Sequence, residues 1–223
     1  MILIVSAIKL EILAVIKKIK KLKIINKNVP LVYEGYINNK KITIVISGIG
    51  KDNASAASDY IFSKLLESSQ VENNEYQVVE KIIICGVSGA LKKSLCTGDV
   101  IVCEKILLGD LKSFKITDII KLDNFEKTIK NVMFFNKFLS NKLLEKKFRK
   151  KFKKNKLYFS GSLLTAPNIL TNIEEKKLAG KRFSADIVDM ESYWLLKNLT
   201  NNNVKINNLC VRVVFDMNPH FWT

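Results

Sequence analysis

Residues 1–23 read MILIVSAIKLEILAVIKKIKKLK, and two periods meet in them. Met1 to Ala7 is a short apolar run without alternation, the pattern of a strand buried on both faces. From Lys9 to Lys23 the period becomes helical. Leu10, Leu13, Ala14, Ile16, Ile19 and Leu22 fall to one side, with lysines opposite. A buried strand that passes at once into an amphipathic helix opens an α/β fold.

The alternation continues outward from there. Leu31–Ile37 and Lys41–Ser47 are predicted to form a hairpin across Asn38-Asn39, since asparagine tolerates the positive φ of a tight turn. Gly48-Ile49-Gly50 ends the second strand, and Asp52 or Asn53 is expected to cap the helix that follows. Ser68–Gln77 is polar and reads as a loop. Val78–Cys85 reads as a buried strand ended by Gly86-Val87-Ser88-Gly89, and Asp99–Cys103 as a strand after a turn at Gly98. Lys105–Lys130 has mixed periodicity and is assigned a loop with short elements. Asn136–Lys156 is the most basic stretch, and Phe138, Leu139, Leu143, Leu144, Phe148 and Phe152 give it the stripe of an amphipathic surface helix. Leu157–Leu164 reads as a strand. Thr171 or Asn172 is expected to cap a helix that ends at Ala179 with Gly180. A strand at Ala185–Val188, a helix at Glu191–Thr200 and a strand at Asn207–Val214 complete the series. There is no internal repeat and no Pro/Ser linker, so residues 1–223 are expected to form one α/β domain.

Composition narrows the class. Apolar residues make up 48% and charged residues 26% of 223, the balance of a globular protein and not of a disordered one. No apolar run is long enough to span a bilayer. The start is apolar early and basic late, the reverse of a secretory signal, so a cytoplasmic protein is expected. Cys85, Cys96, Cys103 and Cys210 show no C-x-x-C spacing and read as buried thiols. The single histidine, His220, stands three residues from Thr223, a poor place for a held imidazole. The formal charge of +16 comes from 37 basic and 21 acidic residues, which raises nucleic acid or an anionic surface as a partner. Lysine far outnumbers arginine, however, and lacks the planar fork that reads bases and phosphates. Neither nucleic acid nor membrane is therefore an expected partner.

Three carboxylates occupy informative places. Glu11 lies on the first helix, Glu191 opens a helix after a strand in Val188-Asp189-Met190-Glu191-Ser192, and Asp216 follows the last strand. Ligands of open α/β sheets collect outside the carboxyl ends of the strands, where all three acids can converge. Each also has a plain reading: Glu11 as a surface acid, Glu191 as a partner of the helix dipole, Asp216 as a turn cap. The Gly48/Gly50 pair and the Gly86–Gly89 run are either strand-ending turns or places where backbone N–H groups approach a ligand.

The order of these motifs resembles the nucleoside phosphorylase and nucleosidase superfamily. The methylthioadenosine/S-adenosylhomocysteine nucleosidases and the hopanoid-associated nucleoside phosphorylases are the nearest look-alikes. ILIVSAIKLE resembles the family's first strand and early glutamate, and VISGIGKDNASAAS its Gly-x-Gly-Lys turn and helix. IIICGVSGALKKSLCTGDVIV is similar to its strand, glycine loop and Gly-Asp-Val strand. IVDMES resembles its Met-Glu ribose site, and CVRVVFD its last strand and catalytic aspartate. The likeness implies a three-layer α/β/α domain with a twisted mixed central sheet. A basic insert at about 105–156 shows no resemblance.

The resemblance also implies a reaction, cleavage of the N-glycosidic bond of a purine nucleoside. Asp216 would be the general acid for the departing base, which requires a raised pKa. Met190 and Glu191 would hold the ribose. In hydrolysis Glu11 would activate a water. In phosphorolysis Gly48, Gly50 and Arg212 would hold phosphate as co-substrate. Gly86, Val87 and Ser88 would approach base or sugar, and Leu164 and Thr165 would occupy the base-stacking segment. No metal or organic cofactor is implied, and a homodimer is expected. The chain departs from the pattern at Phe215, where serine is usual, at Ala90, where a second glycine is usual, and at Leu164 and Thr165, where no aromatic stands. The family's C-terminal helix is expected to be missing, since the sequence stops seven residues after Asp216. Hydrolysis is the first expectation. Phosphorolysis, including of an adenosyl-hopanoid, and a degenerate nucleoside binder are the alternatives, with RNA or membrane contact through 136–156 as a further rival.

Overall fold

A computed structural model describes residues 1–66, 79–122, 157–201 and 207–215. The opening run forms β1 (Ile2–Ser6), followed at once by α1 (Lys9–Ile16). A three-stranded antiparallel ribbon comes next: β2 (Lys20–Asn26), β3 (Leu31–Ile37) and β4 (Lys40–Ile46). Asn38 and Asn39 make its second turn with φ of 49° and 64°. After α2 (Lys51–Tyr60), whose end runs into a single wide turn at Ile61–Leu66, come β5 (Lys81–Ala90), β6 (Val100–Asp110) and β7 (Lys115–Lys121). β8 (Leu157–Thr165), α3 (Ile173–Phe183), β9 (Ile187–Asp189), α4 (Ser192–Asn201) and β10 (Asn207–Val214) complete the described elements.

One mixed sheet holds every described strand. β5, β10, β6, β8 and β9 pair in a closed ring, and β1, β4, β3 and β2 extend from β5 while β7 extends from β6. Pairing is parallel for β1 with β4 and β5, for β10 with β5, and for β8 with β6 and β9, and antiparallel elsewhere. Side-chain alternation shows the layers. Leu3 and Val5 of β1 pack with Ala54, Ala57, Leu195 and Leu196 of α2 and α4, whereas Ile4 between them packs with Ile12, Val15 and Ile16 of α1. Ile187 joins the first cluster and Val188 joins Ala179 and Phe183 of α3. Helices thus cover both faces, as the sequence implies.

Several boundaries differ from the sequence reading. The expected helix over Lys9–Lys23 stops at Ile16, and its basic second half becomes the exposed edge strand β2. Gly35 permits this, because a Cβ there would strike Ile19 and the Lys20 carbonyl. The stretch from Lys105, read as a loop and as the start of an insert, lies in β6 and β7 as far as Lys121. Register shifts in β6 and the exposure of β7 blur the period. Gly86–Gly89 does not end β5, since Gly86 still pairs with Arg212 and Gly89 with Val188. Gly50, not Asp52 or Asn53, caps α2. Gly180 lies inside α3 because a Cβ would sit 2.5 Å from the Leu91 carbonyl, and Ser184 ends the helix at φ 50°. Asn172 is the cap, its Oδ1 accepting from the amides of Glu174 and Glu175. Cys103 and Cys210 are buried and Cys96 is exposed; burial pushes the Cys85 thiol up to about 12. The Ser68–Gln77 loop, the 136–156 helix, Asp216 and His220 fall outside the described residues.

Candidate active site

Glu11 is the third residue of α1, where a carboxylate can reach back to the free amides of the first turn. Its Oε2 accepts from Ser6 Oγ at 2.7 Å and from the amides of Ala7 and Ile8 at 3.1 Å each. Among the described residues its Oε1 accepts only from the Val87 amide, at 2.9 Å. Oε2 is therefore saturated, and Oε1 keeps capacity for one more donor. Gly86 makes the approach possible. A Cβ at Gly86 would lie 2.9 Å from Oε1 and run into the Arg212 guanidinium.

Glu191 links β9 to α4 and is 7% exposed. Its Oε1 accepts from the Gly50 amide at 2.9 Å and its Oε2 from the Met190 amide at 3.3 Å. Burial, followed by the charge of Asp189, holds its carboxyl above the ordinary glutamate range. Asp189 faces the other way. Its Oδ2 accepts from Arg212 Nη2 at 2.5 Å and from the Ser192 amide at 3.1 Å, and its Oδ1 accepts from the Thr165 hydroxyl at 2.8 Å. Arg212 is 1% exposed and also donates to Ser192 Oγ. This ion pair joins β10, β9 and α4 beneath the strand ends.

Glu11, Val87, Ser88, Met190 and Glu191 open onto one cleft of about 700 Å³ at the ends of β1, β5 and β9. The structure does not bring every sequence candidate to it. Leu164 and Thr165 are fully buried: Leu164 packs with Phe183 and Ala179, and the Thr165 hydroxyl is spent on Asp189. Asn168, Ile169 and Leu170, a few residues on, line the cleft instead. Gly86 lies under the cleft between Glu11 and Arg212. Gly48 and Gly50 have φ of 88° and 87°, as a glycine turn requires, but both amides are occupied. That of Gly48 donates to the Ala7 carbonyl at 3.0 Å, that of Gly50 to Glu191. Arg212 does not line the cleft. Phe215 does, with its amide on the Ser88 carbonyl at 2.8 Å.

Sequence reasoning missed Lys176, which lines the cleft and is 6% exposed. The signal is its spacing: Ile173, Lys176, Ala179 and Phe183 recur at helical intervals on one face of α3. No group of three histidine, cysteine or acidic residues among the described residues is placed to hold a metal ion. None of their helices is long and apolar enough to cross a membrane.

Comparison with known proteins adds to this geometry. A family model described as the phosphorylase superfamily matches residues 1–220. A 5′-methylthioadenosine/S-adenosylhomocysteine nucleosidase of Buchnera aphidicola is 29% identical over 193 residues, 85% of this chain and 68% of the relative. The enzyme of that name from Staphylococcus saprophyticus is 31% identical over 110 residues, 49% of this chain and 43% of the relative. Among solved structures, a Colwellia psychrerythraea nucleosidase of this type, in complex with adenine, superposes with a TM-score of 0.70 at 18% identity. It covers 99% of this chain and 85% of its own. The Neisseria meningitidis protein, with methylthio-immucillin-A, gives 0.69 at 18% identity over 96% and 85%.

Proposed function

This chain belongs to the phosphorylase superfamily, and from that premise we propose that it hydrolyses the N-glycosidic bond of a purine nucleoside. One observation carries the reading. Glu11 and Glu191 open onto the same cleft, while the groups that would hold phosphate are already engaged.

The transition state of such a cleavage carries positive charge on the sugar. Ionised Glu191 would accept from the ribose hydroxyls and favour that charge, with Met190 packed beneath the ring. Glu11 Oε1 would take a proton from the attacking water, whose oxygen bonds C1′. The C1′–N9 electron pair leaves with the base, which takes a proton from Asp216, the acid by resemblance. Phosphorolysis would need the Gly48 and Gly50 amides and Arg212 free. Their partners instead support water as the nucleophile. The 5′ substituent would face the apolar wall of Ile8 and Ile49.

Free-base release from methylthioadenosine, S-adenosylhomocysteine, adenosine and inosine, with and without phosphate, tests this. Release without phosphate is expected, falling about 10²–10⁴-fold in Glu11→Gln. Release that requires phosphate would sink the hydrolytic reading.

A further inference from the structure

β2 ends the sheet, pairs with β3 alone and is exposed from Lys20 to Ile25. No acidic residue stands between Glu11 and Glu34, and six lysines do: Lys17, Lys18, Lys20, Lys21, Lys23 and Lys27. Among the described residues, Lys20, Lys21, Lys23 and Lys27 have no acidic partner, whereas Lys41 on β4 is held by Glu34 at 3.1 Å. Apolar side chains stand exposed among these cations. They are Leu22, Ile24 and Ile25 of β2, Val29 in the turn to β3, and Tyr36 of β3 opposite Lys20. Ile24 and Ile25 are each 51% exposed and Val29 is 62% exposed, so the chain's own core does not cover these tips.

The chemistry of this edge separates the partners it could take. A strand added from another protein needs a regular row of amides and carbonyls. β2 breaks that row twice, with register shifts between Lys20 and Lys23 and between Ile24 and Asn26, and with Lys21 at φ 53°. A second copy of the same edge would set lysine against lysine. Nucleic acid is gripped by arginine forks and stacked on aromatic faces, whereas this surface offers lysines and aliphatic tips, with Tyr36 as its exposed aromatic. An anionic bilayer asks for neither forks nor stacking. Ammonium groups on flexible stems meet its headgroups, and aliphatic tips enter the apolar boundary just beneath them.

We infer that the edge from Lys20 to Val29 is a docking surface for an anionic lipid bilayer. Two strands, β4 and β3, stand between β2 and β1, and no residue of β2 or its turn lines the cleft. Docking therefore leaves the cleft uncovered, and the inference stands apart from the proposed reaction.

Co-sedimentation of the full chain with vesicles tests it, using phosphatidylcholine alone and phosphatidylcholine with about one quarter phosphatidylglycerol. Binding to the mixed vesicles alone is expected, and it should weaken as salt rises. Lys20→Gln with Lys23→Gln should weaken it about 25-fold, about fivefold for each charge. Ile24→Ser with Ile25→Ser should weaken it about tenfold. Lys181→Gln with Arg182→Gln removes the same charge from the last turn of α3, and should change binding by less than about twofold. Thermal melts check that each variant is folded, and should the isoleucine pair not fold, the lysine pair decides. Absence of binding to the mixed vesicles, or equal binding to the neutral ones, overturns the inference. So does binding that survives in K20Q/K23Q, which would place the contact elsewhere on the chain. An equal loss in the α3 pair overturns it too, since net charge would then explain the attraction. Single-stranded RNA is titrated in parallel by fluorescence anisotropy. RNA binding that K20Q/K23Q abolishes, with no vesicle binding, would assign the edge to nucleic acid and end the lipid reading.

Discussion

Gly86 is where the site is most crowded. The Glu11 carboxylate and the Arg212 guanidinium both occupy the space a side chain would need, and each is fixed by other bonds. Gly86→Ala is expected to destabilise the fold by about 1–3 kcal/mol in denaturant unfolding, as overpacking does. Glu191 gives a second expectation, in pH. Its folded carboxyl titrates above the ordinary range because burial and Asp189 oppose its charge. Between its unfolded and folded pKa the native state binds more protons, so its contribution is full below the unfolded pKa and is lost as pH rises through the folded one. Wild-type stability should accordingly fall relative to Glu191→Gln over that window. If ribose binding needs the ionised form, the acid limb of kcat/KM should also lie above the usual glutamate range. Parallel stability curves for the two proteins would contradict the first expectation.

The Arg212–Asp189 pair acts at the level of elements, tying β10 to β9 and to the first turn of α4. With side chains 1% and 2% exposed, neither charge has water to fall back on. Arg212→Met should cost about 3–5 kcal/mol, because Asp189 is left buried and charged. Asp189→Asn combined with Arg212→Met should cost less than the two single changes summed, a coupling that a double-mutant cycle in urea would read. Sequence showed the elements unevenly. β1, β3, β4 and β10 were legible because buried strands are apolar runs and Asn38-Asn39 punctuates the hairpin. β2 was not, since Ile19, Leu22 and Ile25, spaced three apart among lysines, satisfy a helix as well as an exposed edge strand. β6 was legible only as far as Cys103; its continuation and β7 were hidden by register shifts and by solvent on β7. That Glu11, Met190 and Glu191 meet at one cleft was legible through motif order. The cleft wall at Asn168–Leu170 and the buried Lys176 depend on where α3 settles, which local pattern does not specify. Arg212 could be read as a ligand but not as Asp189's partner, since residues 23 apart meet only through the closed strand ring.

At the scale of the whole molecule, the ring β5–β10–β6–β8–β9 and the β1–β4 extension bring distant segments to one rim. Glu11 and Val87 are joined across 76 positions and Gly50 and Glu191 across 141, so the site and the fold share their bonds. A ligand seated there binds the native state alone and must raise global stability, by about 2.7 kcal/mol at a hundredfold excess over its Kd. For a domain of 150–250 residues each kcal/mol moves Tm by roughly 2–4 °C. A tight nucleoside analogue that is not cleaved should therefore raise Tm by about 5–10 °C at that excess. Phosphate should add little beyond its ionic strength, because the Gly48 and Gly50 amides and Arg212 Nη2 already have internal partners and the Arg212 side chain is buried away from the cleft. Thermal melts with analogue, with phosphate and with both, matched in ionic strength, separate these cases. A phosphate shift comparable to that of the analogue, or one seen only with both together, would mean that these bonds open to receive an anion. The nucleophile would then be phosphate and not water.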